Sequence, residues 1–363
     1  MKKIKSAIRI IHLWLGLISG LVVFIVAVTG SIYCFEEEIR SVTNKNLLEV
    51  AQEDRPQKNI SEIILIAQEA FPKPSIKNIR VKSDPEASVE VILKDKTSIY
   101  INPYSGKILG SGNRDTDFFG TVLRLHRSLL LGEPGKIITG TSATIFIIML
   151  ISGIILWWPK SKSNRKAKFS LKKNAKLPRK IYDLHSVLGF YAAWILIFSA
   201  TTGIIWSFDW AENTMYWLAN SKKDVRRMHS KEIGATDFQV DIILANAKSL
   251  SPEAKDYFLN MPEDSTGVYK VNLQYANGGF FRKSDQFVYD RYTGELLQSK
   301  YFKTESTGEK IKATNYNIHT GKALGLPGQF LVFFAALIAA SLPVTGFLIW
   351  WKKRKLNLVS LDN

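Results

Sequence analysis

Residues His12–Phe35, HLWLGLISGLVVFIVAVTGSIYCF, place one histidine at the mouth of an apolar run. The run from Leu13 to Cys34 holds about 22 residues with no Lys, Arg, Asp or Glu, and at about 1.5 Å per residue it spans a hydrocarbon core of roughly 30 Å. His185–Phe208, HSVLGFYAAWILIFSATTGIIWSF, repeats the design. His12, Leu15, Gly16, Thr29, Gly30 and Phe35 recur as His185, Leu188, Gly189, Thr202, Gly203 and Phe208, each 173 positions later.

Two further blocks, Ile137–Trp158 and Phe330–Trp351, have the same length and lack of charge, which predicts four membrane-spanning helices. The net charge of +17 is not spread over a surface that could bind nucleic acid. Residues 1–10, the loop 159–180 with its ten Lys and Arg and no acid, and the tail from Lys352 together account for all of it. Short loops rich in Lys and Arg face the cytoplasm, so both termini are expected inside and the segments 36–136 and 209–329 outside. The first apolar run exceeds the roughly 7–15 residues of a signal-peptide core, so an uncleaved anchor is expected. The single cysteine, Cys34, excludes an intramolecular disulfide and a Cys-x-x-Cys-His haem attachment.

The expected organisation is a basic N-terminus (1–10), helix (11–35), outer domain (36–118), interfacial segment (119–136) and helix (137–158). A basic loop (159–181) leads to a third helix (182–208), a second outer domain (209–312), interfacial segment (313–329), a fourth helix (330–351) and tail (352–363). In the first outer domain Ser61–Phe71 has helical periodicity, and Ile76–Val81, Ser88–Leu93 and Thr97–Ile101 have strand character. In the second, Val240–Leu250 is a helix, and Gly267–Gln274, Gly279–Arg282 and Asp285–Tyr289 are strands. Tyr104 and Gly106 of Asn102-Pro-Tyr-Ser-Gly-Lys match Tyr292 and Gly294 of Asp290-Arg-Tyr-Thr-Gly-Glu. His126, Gly132, Pro134, Gly135, Gly153 and Trp157 recur as His319, Gly325, Pro327, Gly328, Gly346 and Trp350, each 193 positions later. The expected fold class is therefore an α-helical membrane protein with four transmembrane helices in two parallel repeats and two small α+β extracytoplasmic domains. A parallel repeat places its axis along the membrane normal.

Four of the five histidines sit at these repeated positions, and His229 has no counterpart. The axis would bring His12 to face His185 near the inner side and His126 to face His319 near the outer side. A lone histidine at a helix end is ordinarily a polar cap; four at matched positions point to a site. Zinc asks for three or four protein ligands, and nearby carboxylates amount to Asp183 alone. Two axial histidines instead suit haem, whose macrocycle supplies four nitrogens. Gly16 and Gly189 lie on the histidine face of their helices, followed by Gly20 and Ala193, and small residues there would admit a flat ring as readily as a neighbouring helix. Arg9, Arg179 and Lys180 inside, and Arg124 and Arg127 outside, are candidates to meet propionates. Two b-type haems would form an electron path across the membrane. No GxGxxG fingerprint follows a strand, so electrons would come from a quinol or a cytoplasmic reductase.

Together, His12-Leu-Trp-Leu-Gly-Leu with Thr29-Gly30, Leu125-His126, Leu184-His185 with Thr202-Gly203, Ile318-His319 with Leu324-Gly-Leu-Pro-Gly328, and the two Tyr-Ser/Thr-Gly turns resemble the bacterial PepSY-associated transmembrane proteins, also called iron-regulated membrane proteins. The resemblance covers nearly the whole chain. It implies a four-helix inner-membrane reductase with two haems on His12, His126, His185 and His319, PepSY-like domains in the periplasm, and a ferric siderophore or other iron chelate as acceptor. Asn102 stands where the motif often has Asp. Two other classes compete: a membrane-anchored PepSY binding or regulatory protein, which would not need four matched histidines, and an iron or siderophore transporter. The apolar blocks lack the embedded carboxylates and broken helices of a transporter, Pro343 being the one interruption.

Overall fold

The structure is a computed structural model that describes residues 2–159, 168–172, 174–224, 226–230, 236–276 and 279–359. Residues 160–167 and 173 of the expected basic loop, and 360–363 of the tail, lie outside the described residues. In chain order α1 (Lys2–Tyr33), α2 (Glu36–Thr43), α3 (Lys45–Leu48) and α4 (Ile60–Ala70) precede β1 (Ile76–Lys82), β2 (Val89–Leu93), β3 (Thr97–Ile101) and β4 (Ile108–Asn113). Then come α5 (Phe118–Ser128), α6 (Glu133–Trp157), and α7 (Leu177–Asp183), which runs through a π-helical turn (Leu184–Leu188) into α8 (Gly189–Ser207). After α9 (Asp209–Leu218) and α10 (Val240–Leu250) follow β5 (Asp256–Asn260), β6 (Tyr269–Gln274), β7 (Ser284–Tyr289) and β8 (Leu296–Lys300), then α11 (Thr307–Thr320) and α12 (Gly325–Val359).

The chain divides into two units, one of helices (1–35, 121–215 and 315–363) and one built on a sheet (36–120 and 216–314). In the helical unit, α1, α6, α7–α8 and α12 are each long and apolar enough to cross a membrane. They extend beyond the apolar blocks because the flanking residues keep helical spacing. Pro134 opens α6 at a position where its missing N–H costs nothing, and Pro159 follows its end. α1 and α8 each pack against both α6 and α12, closing a four-helix bundle. Its centre is Val23, Phe146, Leu150, Ala192, Ala193, Leu196, Ala335 and Ala339, drawn from all four helices. Small side chains bring the backbones together: a Cβ on Gly140 would lie 2.7 Å from Phe208. On the opposite faces Ile18, Leu21, Trp194, Phe198 and Phe334 expose more than half their area, an apolar jacket that suits lipid.

The other unit is an eight-stranded antiparallel sheet in the order β4-β3-β2-β1-β5-β6-β7-β8. The segments expected to fold as two separate small domains share this sheet. Their junction is a full ladder rather than a linker: Ile79 lies opposite Leu259 and Val81 opposite Tyr257 on β1 and β5. One face carries the core, where Ile63 and Ala67 of α4 and Ile243, Leu244 and Ala247 of α10 cover Ile79, Val91, Ile99, Leu259, Val271 and Phe287. Burying each of the larger of these contributes about 1.5–3 kcal/mol. α4 begins at a reciprocal cap between Asn59 and Glu62. It is tied to α10 by the Ser61 N–H and hydroxyl, which donate to Asp241 at 3.1 and 2.5 Å. Residues 279–282, expected as a strand, are irregular and belong to the connection from β6 to β7, closed by the Tyr275 N–H donating to the Lys283 carbonyl at 3.2 Å. Helices α2, α9 and α11 are too short or too polar to stand out in the sequence.

The two Tyr-Ser/Thr-Gly turns are built alike. Asn102 Oδ1 accepts from the N–H groups of Tyr104 (2.8 Å) and Ser105 (3.1 Å), and Asp290 Oδ1 from those of Tyr292 (2.9 Å) and Thr293 (3.0 Å). Gly106 and Gly294 take φ of +76° and +68°, which only glycine adopts at no cost. An acceptor oxygen is all the turn requires, so Asn102 serves as well as an aspartate. Asn102→Asp should leave the melting temperature unchanged, whereas Asn102→Ala should cost about 1–2 kcal/mol for two lost hydrogen bonds. A thermal unfolding scan of the purified protein checks both.

Candidate functional site

The bundle gathers the four repeated histidines into two pairs. His12 on α1 and His185 in the π-helical turn face each other with ring centres 6.4 Å apart and planes at 89°. His126 near the end of α5 and His319 near the end of α11 face each other at 6.0 Å and 74°. His12 and Thr29, a partner of His126, lie seventeen residues apart on α1, so the pairs sit about 25 Å apart along the bundle at 1.5 Å per residue. The fifth histidine, His229, is exposed.

Each ring is held through Nδ1 by a neighbouring helix. His12 Nδ1 meets the Ser152 hydroxyl at 2.7 Å, and His185 Nδ1 meets the Thr345 hydroxyl at 2.9 Å. His126 Nδ1 meets the Val26 carbonyl at 2.9 Å and the Thr29 hydroxyl at 3.3 Å. His319 Nδ1 meets the Ser199 carbonyl and the Thr202 hydroxyl, both at 2.9 Å. Carbonyl partners settle the tautomer at His126 and His319. A carbonyl can only accept. The Ser152 and Thr345 hydroxyls already donate to the Met149 carbonyl (3.0 Å) and the Ser341 carbonyl (2.8 Å), so towards the rings they too accept. With the ring proton on Nδ1, the lone pair on Nε2 is left for a ligand.

His126 and His319 lie outside the four spans. Burial lowers the basicity of both: His319 to about 4, with neighbouring His126 contributing, and His126 below its ordinary value, with Arg127 adding to the effect. Both rings are thus neutral at pH 7, the form that ligates. His319 also has the Trp206 ring against its edge, 5.1 Å between centres.

The other expected site residues lie as follows. A Cβ on Gly16 would meet Met149 Cε at 2.9 Å and one on Gly189 would meet Leu342 Cδ2 at 3.2 Å. Both glycines therefore admit side chains of α6 and α12. Gly20 likewise makes room for Pro343, at 3.3 Å. Arg127 is exposed, and its carbonyl accepts from the Thr139 hydroxyl at 2.7 Å. Arg9, Arg124 and Lys180 are exposed as well. Arg179 is committed to Asp183, whose side chain is 3 % exposed, at 2.8 Å. Ser152, Thr345, Val26 and Ser199 escaped the sequence reading. The signal was present, since Ser152 to Thr345 is a step of 193 and Val26 to Ser199 a step of 173, but the residue types differ within each couple.

Among the described residues no three or more His, Cys, Asp or Glu converge on one point. Each pair therefore brings two imidazoles together without a third side chain of these types. A metal–imidazole bond is about 2.0–2.1 Å. Two such bonds in line, with about 1.1 Å from each nitrogen to its ring centre, separate the centres by about 6.3 Å. The two pairs bracket this value.

Residues 9–353 match the model of the PepSY-associated TM region, and the chain belongs to that family. No curated protein matches the chain.

The Arg179–Asp183 pair, two residues before His185, gives a stability test. Arg179→Ala should cost about 2–3 kcal/mol by leaving a buried carboxylate without its cation, and adding Asp183→Asn should recover most of it. Equal thermal melts of Arg179→Ala and wild type in detergent would show that the pair contributes nothing.

Proposed function

We propose that the protein is a dihaem oxidoreductase of a bacterial inner membrane that passes electrons to an acceptor on the far side, a ferric siderophore or another iron chelate. The observation that carries this reading is the pair geometry: two sites, each with two imidazoles held through Nδ1, and ring centres at the spacing expected for two imidazoles on one metal. His12 and His185 would hold one b-type haem and His126 and His319 the other, with the macrocycle supplying the ligands the protein does not. When bound, a haem supplies one-electron chemistry by cycling between ferric and ferrous iron. His12, His185, His126 and His319 would supply the nitrogens that hold it, each oriented through its Nδ1 contact.

Two further features of the reading rest on sequence. The concentration of Lys and Arg at residues 1–10, 159–180 and the tail favours both termini in the cytoplasm, with the sheet unit in the periplasm. The steps of 173 and 193 positions favour an internal duplication of helix, outer segment and helix. The two halves contribute four strands each to the sheet in mirrored order, which supports a two-fold relation. A quinol or a cytoplasmic reductase would donate electrons at the His12–His185 end.

The test is a visible spectrum of protein purified from haem-replete cells. Two haems per chain are expected. His12→Ala and His185→Ala should each remove the same spectral component, and His126→Ala and His319→Ala the other. A colourless preparation, or removal of one component by both His12→Ala and His319→Ala, overturns the proposal.

A further inference from the structure

Each of the four histidines faces a hydroxyl residue followed directly by glycine. His12 faces Ser152-Gly153, His126 faces Thr29-Gly30, His185 faces Thr345-Gly346 and His319 faces Thr202-Gly203. In every case the hydroxyl approaches Nδ1, while a Cβ built on the glycine would approach the histidine's Cε1, at 3.4, 2.9, 3.2 and 3.6 Å respectively. The same two atoms of each ring are thus met by the same two consecutive residues, once on each of four helices. Ordinary bundle packing asks for small residues somewhere along an interface; it does not ask for a hydroxyl and a glycine in that order, on the same edge of every histidine.

We propose that these four Ser/Thr-Gly pairs are positioning residues that set the tautomer and the ring plane of the axial histidines, a role that rests on the reading of those histidines as haem ligands. The physical argument has three parts. First, each hydroxyl has an acceptor for its proton in its own helix, which leaves its oxygen to accept from the ring: Thr29 the Ile25 carbonyl at 2.6 Å, Thr202 the Ser199 carbonyl at 2.8 Å, and Ser152 and Thr345 as described above. A hydroxyl so engaged favours the Nδ1–H form of the ring, which aims the Nε2 lone pair away from the helix. Second, the glycine lets Cε1 lie close to the helix, and at Gly30 (2.9 Å) and Gly346 (3.2 Å) a Cβ would press on the ring, whereas at Gly153 (3.4 Å) and Gly203 (3.6 Å) it would make an ordinary contact. Third, each ring is oriented by its own half of the chain, through α1 with α5–α6 or α7–α8 with α11–α12. The angle between facing rings is then a consequence of how the halves meet, 89° in one pair and 74° in the other.

Partners that hydrogen-bond a ligating histidine orient it and raise its basicity, and losing one typically lowers metal affinity by about 10–100-fold. The glycines allow a sharper contrast, because Gly30 and Gly203 are 173 positions apart in matching helices yet differ in clearance. Alanine favours a helix over glycine at either position, so helix propensity predicts no loss from either change. Clearance predicts that Gly30→Ala pushes the His126 ring and Gly203→Ala does not.

The experiment uses the full-length protein in detergent, with haem content, haem retention on dilution and the low-spin ferric EPR spectrum as readouts. In wild type, near-perpendicular imidazoles should give strongly anisotropic low-spin signals. Ser152→Ala and Thr345→Val should each lower haem affinity at the His12–His185 site by about 10–100-fold and alter its signal, with Thr345→Ser restoring both. Gly30→Ala should alter the His126–His319 signal and Gly203→Ala should leave it as it is. If the hydroxyl variants fail to fold, the glycine pair decides. Wild type with two haems and variants with unchanged spectra and affinity, or Gly30→Ala and Gly203→Ala behaving alike, would overturn the positioning role and leave the dihaem reading standing. A wild type without haem would overturn both.

Discussion

A histidine N–H handed to an acceptor on the neighbouring helix is the interaction on which the helical unit depends. A polar ring inside an apolar bundle is costly unless its donor is satisfied. Here each ring satisfies it across a helix–helix contact: His12 to Ser152, His126 to Val26 and Thr29, His185 to Thr345, and His319 to Ser199 and Thr202. The same bonds that remove the penalty tie α1 to α6 and α5, the π-helical turn to α12, and α8 to α11. They also decide what each ring can do, since a histidine whose Nδ1–H is engaged has only Nε2 left to offer. Stability and ligand readiness therefore come from one contact.

The centre of the bundle is arranged around that constraint. Between the two histidine pairs the helices meet through Ala192, Ala193, Ala335 and Ala339 with a few larger side chains, and Gly16, Gly20 and Gly189 receive Met149, Pro343 and Leu342. Apolar attraction does little to hold helices together in lipid, so close approach and satisfied polar groups have to do it. The small residues supply the first and the histidine contacts the second. The sheet unit obeys water's rules instead: two helices cover one face of a continuous ladder, and the apolar residues of both halves meet in one core.

Much of this was legible in the sequence. Apolar length and charge exclusion are local properties, so the four spans, α4, α10 and most strands appear close to their expected places. The turns at Asn102 and Asp290 were legible because an acceptor, a Tyr and a glycine at fixed spacing specify one backbone path. Gly16 and Gly189 show where such reading stops. Periodicity says which residues share a helix face, and correctly put them on the histidine face; what meets them there is contributed by Met149 and Leu342, more than a hundred residues away. Residues 279–282 fail for a related reason, since Phe280 and Phe281 have strand character and no partner strand among the described residues.

The sequence by itself determined the membrane spans, the repeated positions of the four histidines and the composition of the turns, because each depends on neighbours in the chain. Only the tertiary structure decided that the two outer segments share one sheet, through a ladder between strands 170 and more residues apart, and that each of the four paired histidines meets a hydroxyl and a glycine. Ser152 is 140 residues from His12 and Thr345 is 160 from His185. Which hydroxyl reaches which ring is set by the angle and depth at which two helices cross, and no local property of either helix contains that information.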